Sequence, residues 1–240
     1  MLVAAVQMAP RFKNYAANLS QMLKLTAQAA QAGARVVVLP ELATCGYSFL
    51  YDDEARPFAE SVEDGRTCRS MMSLCSRFDV HVAYGFMELG DDGNLYNCQA
   101  LVGPGGLQSS CRKLNQWGND WLWATPGTMS PPVVTVEGKR IGLLICRDVR
   151  DKSDSLNDLY EAGDADVIAY SANFGNGAFP SGSWVRFAKR NRVHLIVSNR
   201  FGLEENNDFG EGGICIINPE GRVHCRGLEW SKPCIVYDDV

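Results

Sequence analysis

Three side chains of complementary chemistry sit at the same kind of place in this sequence. Glu41 follows the apolar run VVVLP, Lys113 follows LQSSCR, and Cys146 closes IGLLI. Each comes just past a strand-like run, and groups at strand ends in α/β sheets project into the crevice where ligands bind. A thiol attacks as its thiolate, and a free cysteine with a pKa of about 8.5 needs a neighbouring base or cation to react near neutral pH. A carboxylate and an ammonium supply those two kinds of help. Together the three could attack an electrophilic carbon and carry a group covalently on sulfur. Taken singly, each also has a structural reading: a solvated loop acid, a surface lysine, a thiol packed in a core.

The elements that must position them follow from hydrophobic periodicity. Residues 2–8 read as a buried strand. Residues 14–33 read as a helix, with Leu19, Leu23, Ala27 and Ala30 on one face and Gly33 near the end. The β-branched run 35–39 is a second buried strand, so the chain begins β–α–β, for which a parallel pair is the usual outcome. A helix over 67–78, a strand over 80–88, a turn at Asp91-Asp92-Gly93-Asn94 and a strand over 95–102 follow, the two strands forming an antiparallel hairpin. Strands are predicted at 133–136, 141–145, 166–170 and 193–198, with helices at 153–162 and from Ser183, as cap, to Asn191. Short strands around Asn218-Pro219-Glu220-Gly221 close the chain. No Pro- or Ser-rich linker, repeat or low-complexity tract interrupts this pattern, which favours a single domain over 1–240.

Composition narrows the function classes. Hydrophobic residues at 46% and charged residues at 21% are ordinary for a soluble globular protein. The net charge of −5, with no cluster of Lys and Arg, speaks against a nucleic-acid partner. No apolar run approaches the ~20 residues of a membrane span. The start MLVAAVQMAPRF lacks a cationic, long-apolar leader, so no membrane association and a cytoplasmic location are expected. The 9 cysteines form no Cys-x-x-Cys pair, and His81, His194 and His224 lie far apart. Neither a zinc site nor a disulfide framework is suggested by that spacing.

The flanks of the three residues resemble the nitrilase superfamily. LPELATCGY (Leu39 to Tyr47) is similar to that family's first motif, CRKLNQWG (Cys111 to Gly118) to its lysine segment, and GLLICRD (Gly142 to Asp148) to its nucleophile segment. VQMAP, ATPGT and INPEG also sit where similar family segments sit, so the resemblance covers nearly the whole chain. It implies an α/β fold, a four-layer α-β-β-α sandwich with two mixed β-sheets, and a homodimer or larger homo-oligomer through the helical face. It implies Cys146 as nucleophile and Glu41 as general base. It also implies Lys113 as the charge facing the tetrahedral oxyanion, with the backbone N–H of Arg147 as the second donor. The expected reaction is hydrolysis of a small linear amide or N-carbamoyl substrate through a cysteine thioester, with no cofactor and no metal. True nitrilase or acyl-transfer chemistry is the alternative within the family. A non-catalytic binding or regulatory protein on the same scaffold is the alternative outside it.

The sequence departs from the family in places. Where many members carry a second Glu after the lysine, Asp120 stands here, as an auxiliary acid or a plain loop acid. The usual Arg-Phe-Pro-Glu-like stretch is replaced by VRDKSD (Val149 to Asp154), Arg190 stands where an acid is common, and Ile214 where Ser is frequent. Arg147 has two open readings: recognition of an acidic group on the substrate, or an ion pair with Asp148 or Asp151. Trp117, Trp121 and Trp123 could wall a pocket or belong to a core or interface. Tyr47 and Asn173 lie in loops that border the pocket in related proteins and are expected as substrate contacts.

Overall fold

The first strand, β1 (Leu2–Met8), is apolar except at Gln7 and buried along almost its whole length, as a strand covered on both faces must be. Asn14 starts helix α1 (Tyr15–Gln31) by accepting the Ala17 N–H on its side chain at 3.2 Å. Gly33, at φ +98°, lets the chain turn back into β2 (Val36–Val38). The predicted helix and strand are thus present with their ends trimmed.

In this computed structural model the described residues are 1–129, 133–149, 165–175, 179–224 and 231–240. After β2 come α2 (Asp52–Ala55), α3 (Arg66–Phe78), β3 (His81–Leu89), β4 (Leu95–Gly103), β5 (Gly106–Arg112) and α4 (Asp120–Trp123). Next are β6 (Val134–Val136), β7 (Lys139–Ile145), β8 (Val167–Ser171), α5 (Gly182–Asn191) and β9 (His194–Arg200). A two-stranded ribbon, β10 (Leu203–Glu204) with β11 (Asn207–Asp208), precedes β12 (Cys215–Ile217), β13 (Val223–His224) and β14 (Cys234–Asp239). The helix predicted over 153–162 lies outside the described residues. The cap of α5 is Ser181 rather than Ser183, which falls inside the first turn with its hydroxyl 2.7 Å from that of Ser181.

Two mixed sheets result. One runs β5-β4-β3-β2-β1 with β14 on its edge, and the other runs β6-β7-β8-β9 with β12 and β13. They meet where Gln7 and Met8 of β1 pair in parallel with Asn199 and Arg200 of β9, so the strand order is continuous. Three apolar clusters define the layers. Leu19, Met22 and Leu25 of α1 and Met71 and Leu74 of α3 pack on one face of the first sheet. Val36, Val38 and Ala83 face Ile141, Leu143, Ile145, Val167 and Ala169 between the sheets. Trp184 and Ala188 of α5 cover the outer face of the second sheet. The architecture is the expected α-β-β-α sandwich.

Buried polar ties fix the two sheets against each other. Gln99 on β4 donates to Ser171 Oγ at 2.9 Å and to Ala169 O at 3.1 Å, both on β8. Ser171 Oγ in turn donates to Leu39 O at 2.6 Å. Buried polar groups are costly unless bonded, so these contacts specify one relative placement of β2, β4 and β8. Among the described residues no helix is long and apolar enough to cross a membrane.

Candidate active site

Glu41 lies just past β2 on a segment sewn to β3. Gly85 N–H donates to Pro40 O at 3.1 Å, and Ala43 N–H donates to Gly85 O at 2.9 Å. The backbone approach is close enough that a Cβ on Gly85 would stand 2.5 Å from Glu41 Cα. Leu42 takes φ +46°, a left-handed value unusual for a branched residue, and this turns the chain away after Glu41.

Lys113 leaves β5 with its N–H on Asn97 O at 2.8 Å, while its own carbonyl accepts Gly127 N–H at 2.8 Å. The ammonium is buried and donates to Glu41 Oε1 and to Asp120 Oδ2, both at 2.6 Å. Asn97, a polar position inside buried β4, bridges the same two acids. Its Nδ2 donates to Glu41 Oε1 at 2.7 Å and to Asp120 Oδ1 at 3.2 Å. Trp117 N–H adds a bond to Asp120 Oδ2 at 3.1 Å. Asp120 is therefore built into the site with Lys113 and is not a loop acid in solvent.

Cys146 ends β7 and opens a single 3-10 turn, Cys146–Asp148, at φ +42°. A left-handed non-glycine residue costs on the order of 1–3 kcal/mol and persists only where its surroundings hold it. The holding groups are visible. Tyr170 OH donates to Cys146 O at 2.7 Å and itself accepts Trp184 Nε1–H at 3.2 Å, and Asn173 N–H points at the sulfur. Asp148, buried at the end of the turn, accepts the N–H groups of Leu114 at 3.2 Å and Asn115 at 2.8 Å.

The electrostatics follow from this burial. Burial pushes the Cys146 thiol up and Glu41 pushes it further, while Lys113 pulls it down, so the resting sulfur carries its proton. Burial likewise raises Glu41, against the lowering pull of Lys113. For Lys113, burial favours the neutral amine, but the carboxylates of Glu41 and Asp120 outweigh it and hold the ammonium well above its ordinary value. Among the described cysteines only Cys146 and Cys234 are not fully buried. Burial drives Cys45 and Cys75 up to about 12, and among the described residues neither has a lysine beside it as Cys146 has Lys113.

The other expected residues separate. Asn173 lies beside Cys146 through its backbone. The Tyr47 hydroxyl donates to Trp117 O and accepts Asn119 N–H at 3.1 Å, so it braces the 117–119 loop. Trp123 is buried with Phe49 and Met87, whereas Trp117 and Trp121 are exposed. The ion pair between Arg147 and Asp148 is not formed: Asp148 faces inward to backbone donors, and the Arg147 guanidinium lies 4.3 Å over the Trp117 ring. Asp151 lies outside the described residues. The sequence reasoning missed Asn97 and Asp148. An asparagine inside the apolar strand LYNCQALVG was the one available signal for the first. Among the described residues no group of three His, Cys, Asp or Glu side chains is placed to hold a metal ion.

Comparison with known proteins identifies the family and the fold. Residues 2–239 match the carbon–nitrogen hydrolase family. A nitrilase from Pyrococcus abyssi is 32% identical over 96% of this chain and 86% of its own length. An (R)-stereoselective amidase from Pseudomonas sp. is 29% identical over 93% of this chain and 79% of its own. Among solved structures, an amidase from Nesterenkonia sp. AN1, carrying acrylamide added at its active-site cysteine, superposes with a TM-score of 0.83. It is 18% identical, over 100% of this chain and 93% of that one, which is a likeness of fold.

Proposed function

As the chain belongs to the carbon–nitrogen hydrolase family, within the nitrilase superfamily, we propose that it hydrolyses a small linear amide or N-carbamoyl compound through a thioester on Cys146. The observation that carries this reading is the buried Lys113 ammonium, held 2.6 Å from both Glu41 and Asp120 and close enough to act on the Cys146 thiol. That arrangement provides a nucleophile, a base of raised basicity and a fixed positive charge.

Attack begins with the thiol protonated. Glu41 takes the proton as Sγ bonds to the carbonyl carbon, and the C=O electron pair moves onto oxygen. The Lys113 ammonium and the Arg147 backbone N–H face that oxyanion. Collapse breaks the C–N bond, and Glu41 returns the proton to the departing nitrogen. Water then adds to the thioester with Glu41 again accepting a proton, and collapse releases the acid and the sulfur, which is reprotonated from Glu41. Asp120 and Asn97 hold Lys113 and Glu41 in register through both halves. A homodimer through the helical face belongs to the same reading, with light scattering at twice the chain mass as its measurement.

The test is intact mass after mixing the protein with small amides, N-carbamoyl compounds and nitriles, beside iodoacetamide, for wild type and Cys146→Ala. Rapid labelling, or an acyl adduct, on wild type alone is the expected result. Slow labelling spread over several cysteines, Cys234 included, and unchanged in Cys146→Ala would overturn it. Nitriles enter the panel because the Pyrococcus abyssi relative is a nitrilase.

A further inference from the structure

Arg147 follows the nucleophile directly, and its side chain is exposed. Its guanidinium lies 4.3 Å over the Trp117 ring, which is itself 55% exposed. The main chain that carries the indole is fixed. Trp117 N–H is bonded to the buried Asp120 carboxylate, and its carbonyl accepts the Tyr47 hydroxyl. The two loops that bear Cys146 and Lys113 thus hold one planar cation between them, on the solvent side of the buried network.

The acid best placed to neutralise that cation is turned away. Asp148 Oδ1 accepts Leu114 N–H, Asn115 N–H and Asn115 Nδ2, the last at 3.3 Å. Among the described residues no carboxylate pairs with Arg147. A cation lying over a ring does not use up the N–H donors of the guanidinium, whose fork geometry fits a carboxylate. The protein carries a net charge of −5, so a general attraction for anions is not what places a cation here. We propose that Arg147, held on Trp117, recognises an acidic group on the substrate, so that the amide taken is a small one bearing a carboxylate a few bonds from its carbonyl. This rests on the hydrolytic reading above for the amide half of the ligand; the anion half stands on the geometry of Arg147 itself.

The test separates the two halves. Binding of glutaramate and of valeramide, in which a methyl replaces the carboxylate, is measured by calorimetry on Cys146→Ala, so that neither ligand is consumed. Glutaramate is expected to bind at least about tenfold more tightly, the worth of a hydrogen bond to a charged group. Adding Arg147→Gln is expected to bring the ratio to about one, and Arg147→Lys to restore part of it. A ratio near one before the second substitution, or one that Arg147→Gln leaves unchanged, overturns the proposal. Turnover of either amide by the unsubstituted enzyme reports separately on the hydrolytic reading: hydrolysis with a flat ratio removes the anion site alone.

Discussion

Asp148 Oδ1 accepts the backbone N–H of Asn115 at 2.8 Å, and each of these residues lies two positions past a member of the trio, Cys146 and Lys113. The bond joins the turn after β7 in one sheet to the exit of β5 in the other. It therefore helps fix the spacing between thiol and ammonium across the sandwich, where no backbone ladder runs. Asp148→Ala leaves buried N–H groups without an acceptor, at a cost of about 1–3 kcal/mol. The expected outcome is a lower melting temperature and a larger fall in kcat, whereas Asp148→Asn, which keeps an acceptor oxygen, retains most of both.

The same residue gives a pH signature. Burial pushes the Asp148 carboxyl up to about 7, against the lowering effect of the Asn115 N–H. The folded state therefore holds this proton more tightly than the unfolded chain does. Its contribution to stability is complete below the unfolded carboxylate pKa and declines as pH rises towards about 7, by at most roughly 1.4 kcal/mol per unit. Relative to Asp148→Asn, wild type should lose melting temperature between about pH 4 and 7 and run parallel above that. Parallel curves throughout would show that the carboxyl is ionised across the range.

A second pH effect belongs to the reaction. Glu41 must be ionised to accept the thiol proton, and burial holds its pKa above the usual carboxylate range. Activity should be lost as pH falls through that raised value, which places the acid limb of kcat/KM above that of a free carboxylate. Asp120 contributes to the rise through its negative charge. Asp120→Asn should therefore move the acid limb to lower pH while reducing kcat, because the base becomes weaker. A pH–rate profile for the two proteins measures both effects. An acid limb that stays in place would remove Glu41 as its source.

The extent to which this site can be read from sequence depends on where each residue stands. Glu41 and Cys146 follow apolar runs, where a strand end is visible as a break in hydrophobicity; Lys113 follows the mostly polar LQSSCR, and its part in the trio came from the family resemblance. The strands β1, β2, β7 and β8 were legible as short apolar runs, whereas their arrangement into two facing sheets came from the family resemblance. Asn97 and Asp148 were not, because their roles come from contacts between residues 23 to 56 positions apart along the chain. Arg147 shows the limit most clearly. An adjacent acid suggested an ion pair, but alternation within one 3-10 turn sends Asp148 inward and Arg147 out to Trp117.

Gly85 carries the last prediction. Its site on β3 is extended backbone that any residue can adopt, so nothing in its own conformation asks for glycine. The demand comes from the segment crossing it: an added Cβ would meet Glu41 Cα at 2.5 Å, Leu42 N at 2.6 Å and Pro40 O at 2.7 Å, all main chain. None of these atoms can rotate aside as a side chain would, so Gly85→Ala must push the Glu41 segment off β3. Overpacking of this kind costs typically about 1–3 kcal/mol, a loss of several degrees for a chain of this size. Displacement of the base by even part of an ångström should cost more in rate, up to about 100-fold in kcat. Gly105→Ala is the control, since its Cβ would meet only Gln108 Nε2 at 3.7 Å. Thermal melts and kcat measured side by side should show Gly105→Ala close to wild type and Gly85→Ala losing activity out of proportion to stability. Equal, small losses in both proteins would mean that the Glu41 segment can shift without disturbing the pairing with Lys113.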